Sequence, residues 1–83
     1  MYEVILSNRA EKRLSRLPGG EYERVLRAVM NLAEDPRPRN CQKLRGREGW
    51  RIRIGDYRTI YKVDDDRREV LVVDIGHRRD IYR

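Results

Sequence analysis

A single cysteine, Cys41, excludes an intramolecular disulfide and fits a reducing compartment. No second sulfur or imidazole stands at ligand spacing from it, so Cys41 reads as a small loop or packing residue rather than a metal ligand or nucleophile. There is one histidine, His77, and no paired carboxylates lie in the basic part of the chain, so neither a metal nor a cofactor is expected. Ser7 and Ser15 lack a His/Asp arrangement to activate them. No apolar run approaches the roughly 20 residues that a membrane helix needs, and the opening MYEVILSNRAEKR lacks a signal peptide's charges ahead of an apolar core. These absences point to a soluble, cytoplasmic chain with no membrane partner. Repeats and low-complexity segments are missing too.

What is abundant is arginine. Lysine and arginine number 20 against 14 acids, giving a net charge of +6 and a pI near 10.0. The excess is local. Residues 37–62 hold nine of the bases and two of the acids, while residues 1–36 balance six against six and residues 63–83 set five against six. A charge concentrated in one stretch points to a polyanionic partner. Arginine outnumbers lysine 17 to three, which suits bidentate phosphate recognition. Eighty-three residues make one small domain, 1–83, with a modest core and no room for a deep substrate cavity. Chemistry would then take place on an open face, with a large partner supplying the remaining walls.

Taken in order, Tyr2 to Leu6 (YEVIL) reads as an opening strand. Ser7-Asn8 can cap a helix, and Asn8 with Glu11 has capping-box spacing ahead of Ala10, Leu14 and Leu17 on one face. Pro18-Gly19-Gly20 ends that helix. A second helix is expected from about Glu21 to Glu34, with Tyr22, Val25, Leu26, Val29, Met30, Leu32 and Ala33 as a core-facing stripe. Asp35 to Asn40 is a proline-bearing loop. It leads into Lys43, Arg45 and Arg47, candidate RNA-binding residues among turn-marking glycines. Trp50 to Ile54 alternates strictly, with Trp50, Ile52 and Ile54 on one face and Arg51 and Arg53 on the other. After the Gly55-Asp56 turn, Tyr57 to Val63 places Arg58 and Lys62 together. Asp64 to Arg68 is a polar hairpin loop, and Glu69 to Ile75 is apolar on both faces, as an interior strand should be. The order βααβββ predicts an α+β domain, an N-terminal helical hairpin packed on one face of a small, mainly antiparallel sheet.

Arg51, Arg53 and Arg58 are expected on the sheet face away from the helices, where adjacent guanidinium groups repel unless an anion lies between them. Solvated stems, or pairing with an acid such as Asp74, would be the plain structural alternative. Phosphate binding is the preferred reading, because guanidinium forks match phosphate oxygens and keep their charge. RNA carries its own nucleophile, the 2′-hydroxyl. A protein that aligns the backbone, accepts the 2′ proton, neutralises the equatorial oxygens and protonates the leaving 5′-oxygen needs no metal. The tail can complete such a set. Imidazole is the side chain suited to proton transfer near neutrality, which makes His77 a candidate; Tyr82 could serve as a base beside arginines, and Arg78 adds a cation. Packing of Tyr82, a turn role for His77 and solvation of Arg78 are the simpler readings, and Trp50 reads as core or edge packing rather than a base-stacking platform.

In combination, KLRG, W-R-I-R-I, D-Y-R-T-I-Y, V-L-V-V-D-I and the ending G-H-R-R-D-I-Y-R resemble, over nearly the whole chain, the RelE/ParE superfamily of type II toxins, and within it the RelE-like branch. That resemblance implies the RelE fold and a ribosome-dependent mRNA endonuclease acting in the decoding site. It implies neutralisation by a cognate antitoxin and contact with operator DNA only through the toxin–antitoxin complex. By position, Arg53 and Arg58 would steady the transition state, Arg78 would bind phosphate or act as general acid, and Tyr82 or Arg51 would help remove the 2′ proton. Arginine stands at 51 and 53 where lysine is common in the best-known branch, and an arginine hardly deprotonates. A ParE-like toxin that inhibits DNA gyrase, and a non-catalytic nucleic-acid-binding domain, are the competing readings.

Overall fold

The computed structural model describes residues 1–77. Five strands and two helices follow the order β1 (Glu3–Leu6), α1 (Asn8–Ser15), α2 (Gly19–Asn31), β2 (Cys41–Lys43), β3 (Trp50–Ile54), β4 (Tyr57–Asp64) and β5 (Glu69–His77). The expected α+β class with a helical hairpin on a sheet holds, and one short strand, β2, joins it from a stretch read as loop. In space the strands run β1-β5-β4-β3-β2. Only β1 and β5 pair in parallel; the other three pairings are antiparallel. β5 is interior, as its two-sided hydrophobicity predicts, and β4 is the centre of the sheet.

Helix α1 begins one residue earlier than the capping-box spacing suggests. Ser7, not Asn8, is the N-cap: its Oγ accepts from the Ala10 amide at 3.0 Å and donates to the Val73 carbonyl at 2.8 Å. Its own amide donates to Val72 O at 2.9 Å, so strand pairing persists to the residue that starts the helix. The Val73 carbonyl lies in a bulge on β5, where Tyr61 faces Val72 but Ile60 faces Asp74. One serine therefore ties the helix start to the bulge.

The core lies between the hairpin and one face of the sheet. Ala10 and Leu14 from α1, Val25 and Val29 from α2, and Leu32 just beyond it pack against Ile52, Ile54, Tyr61, Val70, Val72 and Ile75. Val25, Val29 and Leu32 follow helical spacing. Met30, expected on this stripe, is instead half exposed at 51% because it lies to one side of the Val25–Val29 line. Tyr61 is fully buried, and its hydroxyl donates to Pro36 O at 2.7 Å, pinning the proline loop to the sheet. Burial, reinforced by Cys41 alongside, raises the Tyr61 pKa well above that of a free tyrosine.

Candidate nucleic-acid interface

The β3–β4 hairpin sets the geometry. Gly55 has φ of +61° in a two-residue connection, a conformation that glycine adopts without strain and that matches the twist of a tight hairpin. The turn fixes a register in which Ile54 faces Tyr57, Arg53 faces Arg58, Ile52 faces Thr59 and Arg51 faces Ile60. Trp50, Ile52, Ile54, Tyr57 and Tyr61 therefore share the helix-covered face with the core. Arg51, Arg53 and Arg58 share the opposite, open face, as their alternation predicts.

Directly opposed residues in an antiparallel pair have Cβ atoms about 4.5–5.5 Å apart, so Arg53 and Arg58 are a like-charged cross-strand pair. Asp74, the acid considered as a partner for this face, pairs with Arg9 at 3.3 Å and Arg13 at 3.4 Å from α1. Glu48 approaches Lys62 at 3.9 Å, and Asp65 holds Arg37 at 2.9 Å.

The structure corrects one expectation about exposure. Arg58 lies on the open face but is only 8% exposed, and Ile60 beside it is 6% exposed without belonging to the helix-side core. The central strand is buried on both sides here, whereas Arg53 is exposed and Arg51 half-buried. Arg58 is thus a fixed charge in a protected position, and Arg53 reaches outward next to it.

Edge strand β2 contributes groups that the sequence reading did not single out. Gln42 faces Arg51 across β2–β3, and its Oε1 accepts a hydrogen bond from the Arg51 guanidinium. Asn40, just before β2, donates from Nδ2 to the backbone carbonyl of Arg53 at 3.4 Å. Asn40, Gln42, Arg51 and Arg53 line a recess of about 280 Å³. Three-residue β2 carries no alternating apolar pattern to reveal it, so only its pairing with β3 brings these amides to the arginines.

Other candidates are not gathered on this face. Lys43 faces Trp50 on the helix-covered side, with Nζ 5.1 Å from the indole centroid and the Arg37 guanidinium 5.3 Å from the same ring. Trp50 is accordingly a half-buried packing residue flanked by two cations. Arg45 and Arg47 are exposed in the loop between β2 and β3, which a Leu44 N–H to Gly49 O bond of 3.0 Å closes. His77 pairs with Tyr57, their rings edge to face at 5.7 Å, and so lies on the helix-covered side of the register, away from Arg58. Arg78 and Tyr82 lie outside the described residues.

The sequence and the fold have counterparts among known proteins. The family model described as "ParE toxin of type II toxin-antitoxin system, parDE" matches residues 4–82. The chain belongs to the RelE/ParE toxin superfamily. Toxin RelG of Mycobacterium tuberculosis is 33% identical over 88 residues, covering 99% of this chain and 97% of that one. Among solved structures, the archaeal RelE–RelB complex from Pyrococcus horikoshii superposes with a TM-score of 0.82 at 31% identity, covering 93% of this chain and 94% of that one. The intact E. coli RelBE toxin–antitoxin complex gives 0.80 at 28% identity, covering 93% and 96%. The chain is thus a RelE-family toxin of the type II toxin–antitoxin class, with two helices on a five-stranded mixed sheet. As in any superfamily, chemistry has to be argued from the site rather than the fold.

Proposed function

We propose that this toxin is a ribosome-dependent mRNA endonuclease that works on the open face of β3 and β4. The observation that carries the reading is the Arg53–Arg58 cross-strand pair, with Arg51 on the same face. Guanidinium groups opposed across a strand pair match the oxygens of one phosphate and keep their charge at neutral pH. In the reaction the 2′-hydroxyl attacks the adjacent phosphorus as its proton passes to a base. The bond to the 5′-oxygen breaks, and that oxygen takes a proton. Products are a 2′,3′-cyclic phosphate and a 5′-hydroxyl, and no metal is needed.

Arg53 and Arg58 offset charge developing on the equatorial oxygens, and the protected position of Arg58 strengthens its field relative to a solvated cation. Arg51 supports the backbone. Its guanidinium is a poor base, which leaves proton removal to the tail, with Tyr82 the first candidate and Arg78 the acid or phosphate binder by resemblance to the family. His77, on the other side of the register, is the fallback. Lys43, Arg45 and Arg47 add sequence-independent attraction to RNA at one end of the sheet. A cognate antitoxin neutralises the toxin in the cell and supplies operator-DNA binding, in keeping with the complexes to which the chain is similar.

The matched family model names ParE, which keeps a gyrase-inhibiting toxin as the second reading. Primer extension on cellular mRNA after induced expression separates the two. Discrete cuts phased with codons are expected; intact mRNA with arrested replication would establish the gyrase reading instead.

A further inference from the structure

Helix α1 divides its surface into three sectors. Ala10 and Leu14, with Leu17 just beyond the helix, face the core. Asn8, Glu11 and Ser15 follow one flank, and Arg9, Lys12, Arg13 and Arg16, at spacing i, i+3, i+4 and i+7, follow the other. We propose, building on the ribosome-dependent reading of this toxin, that the basic sector is a second RNA contact: it grips phosphates of ribosomal RNA while the open face of the sheet works on mRNA.

The fold itself has little use for these charges. Like charges at such spacings are neighbours on a helix and weaken it. The helix dipole offsets this for Lys12 and Arg13 in the last turn, but it disfavours a cation in the first turn, where Arg9 stands. Counter-charge comes from the sheet: one Asp74 carboxylate lies 3.3 Å from Arg9 Nε and 3.4 Å from Arg13 Nη1. One carboxylate between two guanidinium groups leaves the cluster positive while holding both in place. The Arg9 side chain remains 65% exposed and that of Arg13 33%, and Lys12 and Arg16 are exposed beside them.

The chemistry of the sector selects its partner. Three of its four cations are arginines, whose forks match phosphate oxygens. A protein segment would be expected to meet apolar anchors among the charges, whereas the large apolar side chains exposed among the described residues, Met1, Ile5, Met30 and Leu71, all lie off α1. A phosphate backbone needs no such anchors. From Arg9 to Arg16 the helix axis advances about 10 Å, the reach of roughly three phosphates along one strand of a duplex.

Position agrees with a role beside the cleavage face. Arg51, Ile60 and Asp74 form one row across β3, β4 and β5. With strands about 4.8 Å apart, Asp74 and the arginines it holds begin roughly 10 Å along that row from Arg51. A toxin that lays its open face on ribosome-bound mRNA thus carries α1 alongside, toward the RNA that surrounds the message.

The test is equilibrium binding of the full toxin to purified ribosomes carrying a defined mRNA, repeated over a range of salt, with cleavage followed in parallel. Wild type is compared with Lys12→Ala/Arg16→Ala and with Arg27→Ala/Arg67→Ala, which removes the same charge from exposed positions outside the sector. Lys12 and Arg16 are exposed and alanine favours helix, so the sector variant is expected to fold, which a thermal melt checks. It should bind roughly tenfold or more weakly near physiological salt, and the slope of log affinity against log salt should fall by about 1.5, the share of two phosphate contacts. The control should change both far less. At toxin concentrations that saturate the ribosomes, cleavage by the sector variant should stay within about twofold of wild type, as when binding is lost without chemistry.

Equal losses in the two variants would reduce the effect to net charge and overturn the contact. Wild-type affinity in the sector variant would overturn it too, whether or not antitoxin binding fell, and so would slow cleavage at saturation, which would put the sector in the chemistry instead. Wild-type toxin that leaves ribosome-bound mRNA intact, yet loses ribosome affinity with the sector, would overturn the nuclease reading and uphold the contact. Wild-type toxin that does not bind ribosomes would overturn both.

Discussion

The two faces of β3 and β4 come from the same ten residues of ladder and do opposite work. On one, Ile52, Ile54 and Tyr61 pack against the helices; on the other, Arg51, Arg53 and Arg58 stand against one another. A slip of one residue in register would exchange the two sets, driving arginines into the core. The core therefore fixes where the charges lie. Stability and activity should accordingly be separable by face, with Arg58 as the one position where they meet.

That separation can be broken or sharpened by substitution. The largest effect is expected on the open face: Arg53→Ala or Arg58→Ala should lower ribosome-dependent cleavage by roughly 100-fold or more, as when one preorganised group is removed from developing charge. For exposed Arg53 the unfolding free energy should move by no more than about 0.5 kcal/mol. Arg58 is buried, so its truncation should also destabilise, and its cleavage rate has to be expressed per folded molecule from a parallel denaturation curve. On the opposite face, Ile52→Ala should cost about 2–5 kcal/mol in urea unfolding. Its cleavage rate per folded molecule should stay within about twofold of wild type, since the removed atoms lie on the face opposite the arginines; a much larger loss would show that the faces are coupled.

A smaller effect is expected at Tyr61. Replacing it by Phe keeps the ring and removes the bond to Pro36 O, a loss of about 1 kcal/mol measurable as a shift in denaturation midpoint. The smallest is the pH response of Asp65, whose carboxyl is held below the ordinary carboxylate range by hydrogen bonds from Arg37 and then Tyr2. A depressed folded-state pKa means that the ionised group stabilises above the ordinary carboxylate pKa, and that this contribution fades as pH falls through the lower, folded value. Asp65 is well solvated, so the effect should be slight: melting curves of wild type and Asp65→Asn should differ near neutrality and converge in acid.

Alternation made β3 and β4 legible, because Trp50 to Ile54 and Tyr57 to Val63 each write both faces into a period of two. The helices were legible from their stripes. What stayed hidden depends on pairing between distant segments. β2 is three residues long with no pattern of its own, so Gln42 and Asn40 acquire meaning only opposite Arg51 and Arg53. Arg58 looks like any other strand arginine until β4 proves to be central, and that burial follows from strand order. His77 shows the effect of a single residue. Val70 and Val72 face the core, and strict alternation would send His77 to the open face; the bulge after Val72 reverses the parity, turning Ile75 into the core and pairing His77 with Tyr57. No local motif announces that bulge.

The central claim is that the open face cleaves mRNA through the RNA's own 2′-hydroxyl. The most direct measurement is an end-group analysis of a defined mRNA on purified ribosomes, incubated with the toxin, for wild type and Arg53→Ala. A single cut in the decoding-site codon is expected, leaving a 2′,3′-cyclic phosphate and a 5′-hydroxyl, and slowed roughly 100-fold or more by the substitution. Intact mRNA from a folded wild-type toxin, or a cut leaving a 5′-phosphate, would contradict the account.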